Sequence, residues 1–231
     1  MEATRFAVLA GVAERQTGLV TAAQAVARGI SRAALGRLAH AGVIVPLRRG
    51  VYLLRGNTPD LLDLRAVWLA TSPDRDPDGD LIDGPILSHA AAAQVWDAGD
   101  LSAWPVDLTV PDRRWSRRPD VRFRVRSLGR GDVTVANGLP VTVPGRTVAD
   151  LLEDRMGGHD PAHVGKVAAD LLTGRRDTFG GLATYLDRKG GTLGLRGATT
   201  GAAVLNALLL SAGYGELRQT REGSPLDVEP R

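Results

Sequence analysis

The chain has 231 residues, 24% of them charged, and at roughly 100 to 200 residues per domain that length allows one large domain or two modest ones. It has no cysteine, which excludes disulfide scaffolds, thiol nucleophiles, CxxC redox centres and cysteine-ligated zinc. The net charge of +3 hides a segregation, because residues 1–60 carry eight arginines against three acids, a net of +5, while the remainder sums to −2. No apolar run approaches the roughly 18 to 20 residues of a membrane span, and Met1-Glu2-Ala3-Thr4-Arg5 is not followed by a signal-peptide core. The chain therefore reads as cytoplasmic, with no membrane partner.

Apolar residues at Phe6, Leu9, Ala10 and Ala13 follow helical spacing and predict a first helix from about Ala3 to Gln16, stopped at Gly18. Thr21-Ala22-Ala23-Gln24 is a capping box, which opens a second helix over about Ala22 to Arg28. Gly29 can end that helix, Ser31 can cap the next, and Ile30 can staple onto Leu35. A third helix follows over about Arg32 to Ala41, with Leu35 and Leu38 inward and Arg32, Ala33, Gly36, Arg37 and His40 outward. Two short helices about a glycine-containing turn match a helix-turn-helix. The β-rich runs Val43 to Leu47 and Val51 to Leu54, joined by Arg48-Arg49-Gly50 as a hairpin tip, add a wing.

A winged helix of this composition fits duplex DNA. Ala33 and Gly36 are small enough to admit a backbone approach, and Arg32 and Arg37 can reach phosphates or guanine edges. Ser31 stands beside them at the helix start, and Arg48 and Arg49 would enter the adjoining minor groove or clamp its phosphates. The bland alternative is a protein-docking helix-turn-helix with solvated arginines. Agreement between cap, turn, small-residue face and basic wing favours DNA. One winged helix makes few contacts, so paired half-sites, and with them a homodimer or a cooperative assembly on DNA, are expected.

Residues 55–60 are polar and turn-rich, a linker into a mixed domain. Helices are predicted at about Leu61 to Ala70 and Ser88 to Trp96, the second capped by Ser88. Strands are predicted at Val106 to Val110, Val121 to Ser127, Val133 to Val135 and Pro140 to Val143. A helical region then opens at Arg146, with further helices near 161–173, 179–188 and 199–211. The expected class is α+β: an N-terminal winged helix-turn-helix at 1–55, a mixed α/β domain with a helical C-terminal region at 61–217, and a polar tail at 218–231.

Three features of this second region bear on chemistry. Asp74 to Pro85 begins like a calcium loop, but Pro85 stands where a closing glutamate belongs, so it reads as a solvated acidic loop. Residues 113–130 carry eight arginines and one acid, Asp120, the densest charge in the chain. Period-two alternation over Val121 to Arg126 points Val121, Phe123 and Val125 into the core and lines Arg122, Arg124 and Arg126 along an open face. Such a row either meets an anionic partner, nucleic acid or an acidic protein surface, or is a solvated strand face. If it faces solvent, reversing all three to glutamate should change folding little. His159 and His163 are separated by Pro161, which favours a helix start between them and argues against a shared metal. Ser88 beside His89 is better explained as a cap than as a nucleophile, and no Walker loop, GxGxxG or GxSxG is present. No enzyme, cofactor or metal is expected.

The segments Gly18-Leu-Val-Thr21-Ala-Ala-Gln24, Gly29-Ile-Ser31 with Leu35, Leu38-Ala-His-Ala-Gly42-Val-Ile44 and Arg49-Gly50-Val51-Tyr52 resemble the N-terminal winged helix of the AbiEi family of type IV toxin–antitoxin antitoxins, in its actinobacterial form. Ser88-His89 with its alanine run, and Gly138 to Leu151, resemble the stretch that follows in such proteins. Similar segments also precede nuclease domains in related proteins, but this chain has no acidic-x-Lys core and departs into a helical tail. The resemblance implies a DNA-binding antitoxin that represses its own operon from promoter repeats and counters a nucleotidyltransferase toxin, with or without touching it. The chief alternative is a stand-alone transcriptional regulator whose mixed domain senses a ligand or mediates dimerisation. A more distant one is a nucleic-acid enzyme using the Arg row.

Overall fold

A computed structural model describes residues 2–76, 80, 84–113, 118–154, 158–193 and 200–218. Half of the acidic loop Asp74 to Pro85 (77–79 and 81–83), Arg114 and Arg117 of the basic stretch, and the tail beyond Arg218 lie outside the described residues. The chain is α+β and divides into two compact units, Met1–Val95 with Ser102–Val143, and Trp96–Leu101 with Pro144–Arg231.

The first unit opens with α1 (Glu2–Glu14), β1 (Leu19–Thr21), α2 (Ala22–Ala27), α3 (Arg32–His40), β2 (Ile44–Arg48) and β3 (Val51–Leu54). The strands form an antiparallel sheet in the order β1-β3-β2. Strand β1 is an element that the sequence reading leaves out; three residues are too few for a period to show. Its residues are wholly buried, and it pairs Leu19 with Leu53 and Thr21 with Val51. Leu9, Val20, Ile30, Leu35, Ile44 and Leu54 belong to one apolar cluster drawn entirely from residues 9–54. Burial of each such large aliphatic side chain contributes about 2 kcal/mol. Phe6, expected on the inner face of α1, is exposed instead, a turn short of where that cluster begins.

Helix α4 (Leu62–Thr71) follows, then β4 (Ile86–Leu87), α5 (His89–Val95), β5 (Val106–Val110), β6 (Val121–Val125), β7 (Val133–Ala136) and β8 (Leu139–Thr142). These strands form a second sheet, β6-β5-β4-β8-β7, with β5·β6 and β4·β8 parallel and β4·β5 and β7·β8 antiparallel. Every residue of β5 is buried, so both faces of the sheet are covered there. The β7–β8 hairpin turns on Asn137-Gly138, both at positive φ (51° and 68°), which suits a primed two-residue turn.

The second unit is helical, built of α6 (Pro144–Glu153), α7 (Pro161–Thr173), α8 (Phe179–Leu186) and α9 (Gly201–Ser211). Asp160, Thr178 and Thr200 cap the last three by accepting backbone N–H groups. Helix α9 packs on both α7 and α8, and glycine permits it: a Cβ at Gly165 of α7 would strike the Leu208 carbonyl, and one at Gly201 the Ala183 carbonyl. Among the described residues no helix is long and apolar enough to cross a membrane.

Candidate nucleic-acid interface

The turn between α2 and α3 is built by local hydrogen bonds. Thr21 Oγ1 accepts from Gln24 N (3.1 Å) and Gln24 Oε1 from Thr21 N (2.9 Å), closing the predicted capping box. Gly29 takes φ +79°, Ile30 N returns to the Ala25 carbonyl at 3.0 Å, and Ser31 Oγ accepts from Ala34 N at 3.2 Å to start α3. Helix α3 buries Ala34, Leu35 and Leu38, which leaves Arg32, Ala33, Gly36, Arg37 and His40 exposed, the face expected from its period.

A second shell of bonds holds this motif from behind. Gln24 Nε2 donates to Gln16 Oε1 (2.9 Å) and to the Arg75 carbonyl (2.8 Å), and Thr21 Oγ1 donates to the Pro73 carbonyl. The Arg75 guanidinium in turn lies 5.0 Å from the centre of the Trp68 ring, a cation–π contact that ties this segment to α4. The helix-turn-helix is therefore oriented by residues fifty positions downstream. Nothing in the local sequence signals it.

In the wing, β2 is the edge strand, which is where Pro46 can sit without losing a ladder donor. A bulge between Pro46 and Arg48 brings Arg48 opposite Val51, and the turn is Arg49-Gly50 with Gly50 at φ +80°. The two wing arginines differ. Arg49 is exposed at the tip, whereas Arg48 ends β2 and forms an ion pair with Asp120, both side chains being less than one-fifth exposed. The sequence reading places Arg48 at the tip beside Arg49; the bulge draws it into the strand.

The arginine row on β6 departs furthest from expectation. The parallel register sets Arg122 beside Asp107 and Arg124 beside Thr109. Arg122 donates to both carboxylate oxygens of Asp107 at 2.6 Å, and Arg124 Nε to Asp107 Oδ1 at 2.7 Å. Asp107 is 1% exposed, and the two arginines are 26% and 15% exposed. Arg122 and Arg124 are thus counter-ions of a buried acid, not an open cationic face. Of the three, Arg126 is exposed. The complementary expectation also shifts: Val121 is buried, Phe123 half-buried, and Val125 is 55% exposed.

Ser88 and His89 are both buried, with Ser88 Oγ 2.9 Å from His89 Nδ1 and accepting from Thr109 Oγ1 at 2.9 Å. The serine oxygen thus joins a polar cluster against β5. His159 and His163 fall on either side of the start of α7 at Pro161, as the proline suggests.

Residues 9–55 match the family model of the transcriptional regulators described as AbiEi antitoxin. Over this segment the chain is similar to the AbiEi type. The matched span runs from α1 through the wing, so the resemblance read from the residues holds over this segment. The RV2827C protein from Mycobacterium tuberculosis, a crystal structure, aligns with a TM-score of 0.52 at 19% identity, covering 96% of this chain and 83% of that one. That likeness is one of fold. No curated protein matches the chain.

Proposed function

We propose that this AbiEi-type protein is the DNA-binding antitoxin of a type IV toxin–antitoxin system, repressing its own operon from promoter repeats and countering a nucleotidyltransferase toxin. The observation that carries the reading is the exposed face of α3 beside the exposed wing arginine, within the segment that matches the family. Ser31, Arg32 and Arg37 would meet the major groove, Arg37 and Arg32 at guanine edges or phosphates and Ser31 at the backbone. Arg49 would meet the adjoining minor-groove phosphates. Arg48 acts one step back, holding the base of the wing through Asp120. Residues 1–55 carry DNA recognition in this reading, supported by an apolar cluster confined to residues 9–54. Residues 61–217 carry the antitoxic function and the contacts that make a homodimer or a cooperative assembly on DNA.

The test has two arms. In a DNA shift assay, the full chain is expected to bind the promoter of its own operon and to lose preference over unrelated duplex on Arg37→Ala. Co-expression with a neighbouring nucleotidyltransferase is expected to rescue growth. Promoter binding without rescue would leave a stand-alone transcriptional regulator; rescue by a variant unable to bind DNA would separate the two activities.

A further inference from the structure

Arg65 of α4 is a largely buried cation that makes no ion pair among the described residues. It is 8% exposed, and its hydrogen-bond partners are two neutral carbonyls, the Asp60 backbone oxygen at 2.8 Å from Nε and the Asn137 oxygen to Nη2. A guanidinium has five N–H donors in a rigid fork, so most of its capacity remains unused. Burial lowers its pKa, and the nearby charge of Asp60 raises it in part. A buried charge offset by two carbonyl dipoles and an unpaired carboxylate nearby is costly, and an arginine cannot escape that cost by losing its proton.

The same side chain lines a shallow, solvent-open cavity of about 400 Å³. Around it stand Thr17, Asn57, Thr58, Asp60 and Asn137. The Thr17 hydroxyl already donates to the Gln16 carbonyl (2.7 Å) and the Asn57 backbone N–H to the Leu54 carbonyl (3.3 Å), which leaves the Thr58 hydroxyl and the second amide protons of Asn57 and Asn137 as donors beside the guanidinium. Asn57 Nδ2 and Asn137 Nδ2 each spend a bond on a backbone carbonyl, Leu54 at 3.1 Å and Val95 at 3.1 Å, which fixes their orientation. Arg65 Nη1 lies 3.6 Å from the point where a Gly138 Cβ would stand, so the absence of a side chain there leaves room beside it.

We propose that this cavity is a binding site for a small oxyanion, the phosphate or carboxylate group of a metabolite, held by the Arg65 fork and the polar groups of residues 57–58. A planar fork matches either group through two parallel N–H···O bonds. Asp60, exposed beside the site, repels an incoming anion and so disfavours a highly charged one most, which selects for a compact group of low charge over a polyanionic chain. Position separates the site from the DNA face. Strand β3 runs from Val51 beside the Arg49-Gly50 tip to Leu54, and Leu19 of β1 pairs with Leu53. Thr17 and Asn57 therefore lie past the end of that sheet away from the wing tip, so an anion there leaves Arg49 open. It would bridge the segment behind the winged helix to the β7–β8 turn.

The experiment is an NMR titration of the full-length, ¹⁵N-labelled chain with sodium phosphate and, separately, sodium acetate, at ionic strength held constant with sodium chloride. Saturable shifts are expected at the amides of Asn57, Thr58, Asp60, Asn137 and Gly138, and the salt that saturates first identifies the preferred group. Thr58→Asp, at an exposed position, supplies the cavity with its own carboxylate and should weaken binding by roughly tenfold or more, leaving the rest of the spectrum unchanged. Arg65→Lys, which keeps the charge but not the fork, should weaken it similarly. Shifts that stay linear with both salts, shifts centred on Arg32, Arg37 and Arg49, or binding undiminished in Thr58→Asp would each overturn the site. DNA binding is not read in this experiment, so its failure is distinct from that of the antitoxin reading.

Discussion

Two rows of arginine, on α3 and on β6, look alike as sequence and differ in the folded chain. Arg32 and Arg37 of α3 stay exposed, while Arg122 and Arg124 of β6 close on buried Asp107. On the helix, exposure follows from the 3.6-residue period and the apolar residues of the same segment. On the strand, period two fixes only which residues share a face, and the neighbouring strand decides what covers it. A charge row on a helix is therefore informative about a surface in a way that the same row on a strand is not.

The largest effect that follows from this contrast is on stability. Asp107→Asn removes the buried carboxylate that Arg122 and Arg124 share, which is expected to cost about 3 kcal/mol. Urea unfolding followed by circular dichroism reads this directly. A loss below about 0.5 kcal/mol, the range of ordinary surface substitutions, would return the β6 row to the open-face description. The triple reversal of Arg122, Arg124 and Arg126 to glutamate, harmless if the row faces solvent, should instead unfold this part of the chain by setting new acids against Asp107.

Next in size is recognition. Arg37→Ala is expected to leave the unfolding curve unchanged, because the residue is exposed, and to lower preference for the operator by roughly 10- to 100-fold if it reads a guanine edge. A competition shift assay with operator and unrelated duplex measures it. Equal weakening on both duplexes would make Arg37 a phosphate contact.

Legibility in the sequence divides along the same line. The α2–turn–α3 motif was readable from Thr21, Gln24, Gly29, Ser31 and Leu35 because each acts on a neighbour within a few residues. Most helices of the second unit were readable from caps such as Asp160 with Pro161. What could not be read depends on distant pairing: the two-residue β4, the Asp107 counter-ion fifteen positions before Arg122, the Asp120 partner 72 positions after Arg48, and the support of Gln24 by Arg75. Buried Arg65 belongs with these, since nothing in its helix marks its partner at the Asn137 carbonyl, 72 positions on.

A smaller effect tests the local side of the contrast. Ser31→Ala removes the acceptor for Ala34 N and should cost about 1 kcal/mol by urea unfolding, with operator affinity falling in step as α3 frays. If affinity falls and stability does not, the Ser31 hydroxyl meets DNA and its role as a cap is secondary.

The smallest effect separates the two wing arginines. An arginine that neutralises one phosphate contributes about 0.9 to the slope of log affinity against log salt. Arg49 is exposed at the tip, so Arg49→Ala should flatten the slope by about that amount while operator preference holds. Arg48 is already compensated by Asp120, so Arg48→Ala should leave the slope unchanged even if the wing loosens and affinity drops. Asp120→Asn makes the converse case, because it releases a cation at the base of the wing and should steepen the slope by up to about 0.9. Equal flattening by Arg48→Ala and Arg49→Ala would mean that Arg48 exchanges Asp120 for a phosphate on binding. The ion pair would then be a resting state of the wing that DNA displaces, and the difference between a local and a distant partner would be one that binding itself reverses.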